Sequence, residues 1–404
     1  MIGRTWFRCA TLLAAVGSLT LWPSASLVLA QQSAPMAKWF RYAPSIERAW
    51  TVSATEADPL RFEITRKTSG KGTSTHRVLV LYPRASSAYD IAISKLLQVF
   101  DSKDIDASLT VINFKMKDGA GKDAIQFAEQ SKFDLIFAMG SESTAWLFEH
   151  YRNGRIPVVS VCSKDPVQLG QINDYENGTG NNFAFTSLNV PVDVQMAYVK
   201  ELRPNLKNLT VLVDKKNVSA VQTQAEPIAA YARARGIQVI WGAIENPAKA
   251  RDELIPIVKS AVQTMRKSDP DLTKSLFWLT GSTSVFLEIA TINEYADRVP
   301  VVSVVPEIVK AGPDTAVLAI GVSFESNAHL AAIYGAEILA GRSKPGNLKV
   351  GVVSPPDIAI SFMKAREIGL RVPFQFYETA SFIYDYDGKA ARTVTNKVTM
   401  DNEN

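Results

Sequence analysis

The sequence is short of the residues that most chemistry needs. It has two cysteines and three histidines in 404 residues. Cys9 lies in the apolar amino-terminal stretch, so Cys162 has no disulfide partner in the rest of the chain. A lone cysteine after an apolar run reads as a small core residue rather than a nucleophile. His76, His150 and His329 have no ligand-type residue at a metal-binding spacing, so no metal site is expected. There is no G-x-S-x-G elbow and no Walker A sequence. Gly178 and Gly180 follow no clear strand-to-helix turn, and the carboxylates form no compelling pair. The expectation is a protein that is not an enzyme and holds no cofactor. Net charge is also scarce, +4 from 44 basic and 40 acidic residues. That argues against a nucleic-acid-binding surface.

Hydrophobic residues make up 47% and charged residues 21%, enough for two or three domains with real cores. Residues 1–30 read as a cleaved secretory signal. Arg4 and Arg8 precede an apolar run of about 12 residues, short of the ~20 a membrane span needs, and Val28-Leu29-Ala30 offers a cleavage site. Trp6-Phe7-Arg8 before Cys9 does not suit a lipid acceptor. Removing two arginines leaves +4 − 2 = +2. The product is expected in the exported compartment. Residues 31–75 look like a loosely attached polar extension, ending in the linker-like run Thr68-Ser69-Gly70-Lys71-Gly72-Thr73-Ser74-Thr75. Within it, Phe62 and Ile64 alternate with polar neighbours and suit one edge strand.

From His76 onward, short apolar strands alternate with amphipathic helices. Strands are expected at 78–82, 109–112, 134–138, 157–161, 209–213, 238–241, 276–279, 300–304, 316–320 and 351–353. They are apolar throughout, as strands covered on both faces must be. Ile93, Leu96, Leu97 and Phe100 form one helix face, at i, i+3, i+4 and i+7. Gly236 and Gly341 stop helices. Such alternation means doubly wound parallel sheets with right-handed crossovers.

An internal repeat divides the chain. Residues 135–161 read LIFAMGSESTAWLFEHYRNGRIPVVSV, and 276–304 read LFWLTGSTSVFLEIATINEYADRVPVVSV. Each has an apolar strand, Gly-Ser-x-Ser, a helix, and Pro-Val-Val-Ser-Val. Gly140 and Gly281 are 141 residues apart, about one domain. Two lobes of one architecture follow.

Ligands of open parallel sheets bind beyond the strands' carboxyl ends. Ser141, Glu142 and Ser143 stand at one such end, and Thr283 and Ser284 at the matching one. Any one of these hydroxyls alone reads more readily as a helix cap. Presented by both lobes, they suggest facing turns. Other strand ends add Ser86 and Ser87, Lys164 with Asp165, then Asp214 with Asn217, and Glu307. Together they would line a polar cleft of mixed charge, suited to a zwitterion or other small polar solute.

Ordered marks along residues 76–376 resemble the ABC-transporter substrate-binding proteins related to aromatic amino-acid uptake. They are DLIFAMG at 134–140, IPVV at 156–159, DPV at 165–167, KELRP at 200–204, VKAG at 309–312, Gly321-Val322, and AREIG at 365–369 before Pro373. The resemblance implies a type I periplasmic binding fold. Lobe one would be 76–187 plus 320–345, and lobe two 188–319 plus 346–380. A three-strand hinge would join them, with a tail at 381–404. It implies a monomeric receptor in the periplasm that closes on an amino acid or small organic acid and delivers it to an ABC permease in the inner membrane. Asp165 matches the family's Asp-Pro motif near the cleft. Many members carry Gly-Val-Asp and then an aromatic, where this chain has Gly321-Val322-Ser323-Phe324. Ser323 thus replaces a carboxylate suited to a ligand ammonium. A ligand-sensing accessory protein for a membrane sensor kinase or cyclase is the alternative on the same fold. An exported enzyme of similar two-lobed outline is a third, and the lack of a catalytic set argues against it.

Overall fold

A computed structural model describes residues 37–55, 57–68 and 75–393. The expected signal at 1–30, the start of the extension, the run 69–74 and the end of the tail lie outside the described residues. Among the described residues seventeen strands run in chain order. They are β1 (Trp50–Thr55), β2 (Asp58–Arg66), β3 (His76–Tyr82), β4 (Ala107–Asn113), β5 (Leu135–Met139), β6 (Val158–Val161), β7 (Phe183–Ala184), β8 (Thr186–Ser187), β9 (Asn208–Asp214), β10 (Gln238–Ile244), β11 (Ser275–Leu279), β12 (Val301–Ser303), β13 (Leu318–Gly321), β14 (Gly351–Val352), β15 (Asp357–Ser361), β16 (Phe382–Tyr384) and β17 (Ala390–Arg392).

The first sheet has the order β1-β2-β4-β3-β5-β6-β7, and the second β10-β9-β11-β12-β13-β15-β16-β17. Within each, five parallel strands share one topology. Taking the first parallel strand of each lobe as one, the spatial order is 2-1-3-4-5 in both. The Gly-Ser-x-Ser turns follow β5 and β11, equivalent third strands, so the sequence repeat is a repeat of structure. The strands are apolar because helices cover both faces. β5, β6, β9 and β11 are buried along their whole length.

Three passages join the lobes. The first follows β8. The second runs from β13, in the second sheet, to the helix Phe324–Leu339, which packs in the first lobe. There Gly335 lies so close to Phe137 that a Cβ would come within 2.6 Å of its ring. The third follows β14. β8 and β14 pair in parallel as a two-stranded link. The boundaries expected at 320 and 346 shift slightly. Gly321 still pairs with Asp357 in the second sheet, and Val350 is buried in the first lobe's core.

Two expectations need correction. The described part of residues 31–75 is not loosely attached. β2 pairs antiparallel with β4, and β1 pairs outside it. Phe40, Trp50, Phe62 and Ile64 are buried in the core. Two strands form where one edge strand was expected, and Phe62 and Ile64 stand on the inner one. The described part of 381–404 is likewise no tail, since β16 and β17 extend the second sheet. Among the described residues no helix is long and apolar enough to cross a membrane.

Candidate functional site

In a 2-1-3-4-5 sheet, the connections leave the first and third strands toward opposite sides, which opens a crevice at their carboxyl ends. β3 and β5 make that crevice in lobe one, and β9 and β11 in lobe two. The two crevices face each other. Arg84, Ser86, Ser141 and Glu142 come from one side, and Asn217, Ser219, Gly281 and Thr283 from the other. Tyr89, Cys162, Leu188, Phe286 and Phe324 add apolar wall, and Lys164 is also on the lining. The cavity between them is about 50 Å³.

Local chemistry explains these positions. Gly140 opens the helix Gly140–Tyr151 with φ +75°, and a Cβ there would lie 2.0 Å from the Tyr89 hydroxyl. Glycine alone takes that conformation without strain. The turn therefore sits tight against Tyr89, and Ser141 and Glu142 project at the helix start. Ser141 Oγ accepts the Lys164 N–H at 2.9 Å, which fixes the loop after β6. From that loop Lys164 Nζ reaches across the lobes to the Gly281 carbonyl oxygen, 3.4 Å away. The Gly281 N–H donates to Gln224 Oε1 at 2.7 Å. Gln224 stands on Val221–Ala225, a helical turn of wider winding of the kind often found at functional sites. Arg84 Nε donates to Glu142 Oε2 at 2.6 Å.

Burial sets the electrostatics. It lowers the Lys164 ammonium, with help from nearby Arg84, to a pKa of about 8. It pushes the Cys162 thiol far above its ordinary value. That thiol is a poor nucleophile, consistent with a small wall residue.

The sequence-derived candidates divide into two groups. Ser86, Ser141, Glu142, Asn217 and Thr283 line the cavity. The others do not. Ser87 is exposed on the first turn of its helix. Ser143 is fully buried and donates to the Leu81 carbonyl at 3.0 Å, tying its helix to β3. Asp165 folds its own loop, accepting the Val167 and Gln168 N–H groups at 2.9 and 3.0 Å and the Tyr175 hydroxyl. Asp214 accepts the Ser284 hydroxyl at 2.7 Å and the Lys216 N–H at 2.9 Å, which engages both candidates behind the cleft. Glu307 and Ser323 sit at the second passage. Ser323 caps the helix Phe324–Leu339 through the Ser326 N–H, 3.0 Å away. Its own N–H donates to Asp357 Oδ2 at 2.9 Å.

Sequence reasoning missed Tyr89, Phe286 and Phe324 as site residues, and had Arg84, Lys164 and Ser219 only as residues of the strand-end loops. The aromatics carry helical spacing and look like core. A long cation in a loop carries no sign of its direction.

The profile of the ABC transporter substrate binding protein family matches residues 85–381. The chain belongs to that family. A search of curated proteins found no match. Among solved structures, a conserved domain protein from Vibrio cholerae is 19% identical, with a TM-score of 0.61 over 77% of this chain and 100% of that one. An ABC domain from Streptococcus pneumoniae, solved in complex with L-Trp, is 16% identical with the same TM-score and coverage. A ligand-free, open substrate-binding protein with adhesive properties from Clostridium difficile is 18% identical, with a TM-score of 0.57 over 76% of this chain and 98% of that one. These likenesses give the fold, a type I periplasmic binding architecture. Family membership makes this chain a substrate-binding component of an ABC transporter system.

Proposed function

We propose that this protein is an exported receptor that closes on a small polar solute, an amino acid or small organic acid, and delivers it to an ABC permease in the membrane. The observation that carries the reading is the meeting of two equivalent strand-end turns, Ser141-Glu142 and Gly281-Thr283, with Lys164 of one lobe touching Gly281 of the other. A site divided between lobes binds fully only when they close, which couples occupancy to shape, the signal a permease needs. The secretory signal read at residues 1–30 supports a periplasmic location.

A ligand that binds the folded state alone raises the melting temperature by mass action. A thermal-shift screen of amino acids and small organic acids, followed by titration calorimetry, is expected to find a solute that binds one to one. Thr283→Ala is expected to weaken it. Absence of any shift across such a panel would sink the reading.

A further inference from the structure

The charged groups around the cleft are not equally engaged. Glu142 is paired with Arg84 at 2.6 Å. Asp214 is taken up by Ser284 and the Lys216 N–H. Asp165 is committed to its own loop. Glu307 accepts the Phe324 N–H at the hinge. Ser323 is a buried helix cap. So each of these carboxylates already has a partner, and Glu307 Oε2, which has none among the described residues, is buried at the hinge and off the cavity lining.

Lys164 is the opposite case. It is only 7% exposed and forms no ion pair among the described residues. Its one side-chain hydrogen bond among the described residues is the long 3.4 Å contact to the Gly281 carbonyl. An ammonium has three donors, and a buried charge is costly until an opposite charge meets it. The cation stands on the cavity lining, where the lobes meet and beside the hydroxyls of Ser141 and Thr283. The space is small. A single water needs about 10–15 Å³ of such volume, so about 50 Å³ suits a guest of few non-hydrogen atoms.

We propose that the solute is a short-chain carboxylate without a required ammonium group, its carboxylate anchored by Lys164 Nζ as the lobes close. This deepens the receptor reading and rests on it. The anion would neutralise Lys164, the cation of the cavity lining that has no ion pair among the described residues, and accept from its free donors, while hydroxyls of both lobes bind the remaining polar atoms. An amino acid would bring an ammonium beside Lys164 and Arg84, where the carboxylate of the cavity lining, Glu142, is already paired.

Titration calorimetry at pH 7 tests this with matched panels: short mono- and dicarboxylates, their neutral amides, the corresponding amino acids, and inorganic phosphate and sulfate. A short carboxylate is expected to bind, with its amide at least tenfold weaker. Lys164→Gln and Lys164→Met are each expected to weaken the acid tenfold or more. Their melting temperatures without ligand should match or exceed the wild type, because a buried charge is gone. A neutral solute, an amino acid or an inorganic anion bound more tightly than every carboxylate would overturn the assignment and leave the receptor reading standing. So would a carboxylate whose affinity neither Lys164 variant changes. If no solute of any class binds, the receptor reading itself falls, and this assignment with it.

Discussion

Glu307 Oε1 accepts the N–H of Phe324 at 2.5 Å, so a side chain of lobe two holds the first residue of a lobe-one helix. The neighbouring N–H, that of Ser323, goes to Asp357. Two carboxylates thus grip consecutive amides of the second passage between the lobes. Glu307 Oε2 is buried with no hydrogen-bond partner among the described residues.

That geometry gives the hinge a pH dependence. Burial raises Glu307 to a pKa of about 8. The Phe324 N–H pulls the other way, and the charges of Asp357 and Glu325 add to the rise. Between its ordinary value near 4.5 and about 8, the folded chain therefore holds a proton that the unfolded chain has lost. Stability from this group is complete below that interval and declines as pH rises through it. Glu307→Gln imitates the protonated acid. Melting curves from pH 5 to 9 are expected to nearly coincide at the acid end, with the variant melting a few degrees higher at pH 9. Parallel wild-type and variant profiles would refute this.

The two repeat glycines do different work, and alanine separates them. Gly140→Ala puts a methyl into the Tyr89 hydroxyl at a positive φ. Overpacking and left-handed strain together should cost about 2–4 kcal/mol. Gly281 has no positive φ, and its added Cβ would lie 3.2 Å from Gln224 Oε1 and 3.4 Å from Lys164 Nζ. Gly281→Ala should keep most of the melting temperature and instead weaken solute binding, because those two contacts line up the cleft. Denaturant unfolding and calorimetry on both variants would show it. Equal destabilisation would mean that Gly281 is also a packing position.

That contrast shows what could be read from the residues alone. Nine of the ten parallel-sheet strands, all but β7, and β14 after the helix stood out as apolar runs, because burial on both faces leaves little room for polar side chains. β16 and β17 lie at a sheet edge, where short, mixed segments suffice, and they passed for tail, while β15 fell within lobe two but was not read as a strand. Phe62 and Ile64 did show their alternation, but the Gly/Ser-rich run after them suggested a linker. At the site, Gly-Ser-x-Ser located both turns, yet helix phase decides which hydroxyl faces the cleft. Ser141 does, and Ser143, two residues on, turns inward to the Leu81 carbonyl. Phase at a helix start depends on the φ of Gly140, which side-chain pattern does not record.

Lys164 should make solute binding depend on pH. Burial and Arg84 lower its pKa to about 8, while Glu142 and Cys162 act in the opposite direction. Below about 8 it is an ammonium and can anchor an anion. Above that value it loses the charge, so affinity for a carboxylate should fall from pH 7 to 9. A bound anion favours the charged form and should move the midpoint upward. Without ligand, the unfolded chain keeps this proton up to about 10.5, so the group's contribution to stability rises with pH between about 8 and 10.5. Binding constants measured across pH 6.5–9.5 for wild type and Lys164→Gln separate this from other titrations. The slope should vanish in the variant.

The amino-terminal hairpin should prove necessary to the fold and to the cleft. Phe62 on β2 stacks on Phe40 with ring centres 4.7 Å apart. Phe40 in turn meets the edge of Tyr82, the last residue of β3, two positions before Arg84. The Arg41 N–H donates to Asp90 Oδ1 at 3.1 Å, and the Ala43 N–H to Ser94 Oγ at 2.8 Å, on the helix that starts at Ser87. The hairpin thus backs both the strand and the helix that carry the lobe-one side of the site. Phe62→Ala removes a fully buried ring and should cost about 3–5 kcal/mol. A chain begun at residue 75 would also uncover the edge of β4, whose N–H and C=O groups β2 now satisfies. It should melt lower, tend to associate, and bind its solute more weakly. A shortened chain with the melting temperature and affinity of the longer one would show that the hairpin is only an attachment.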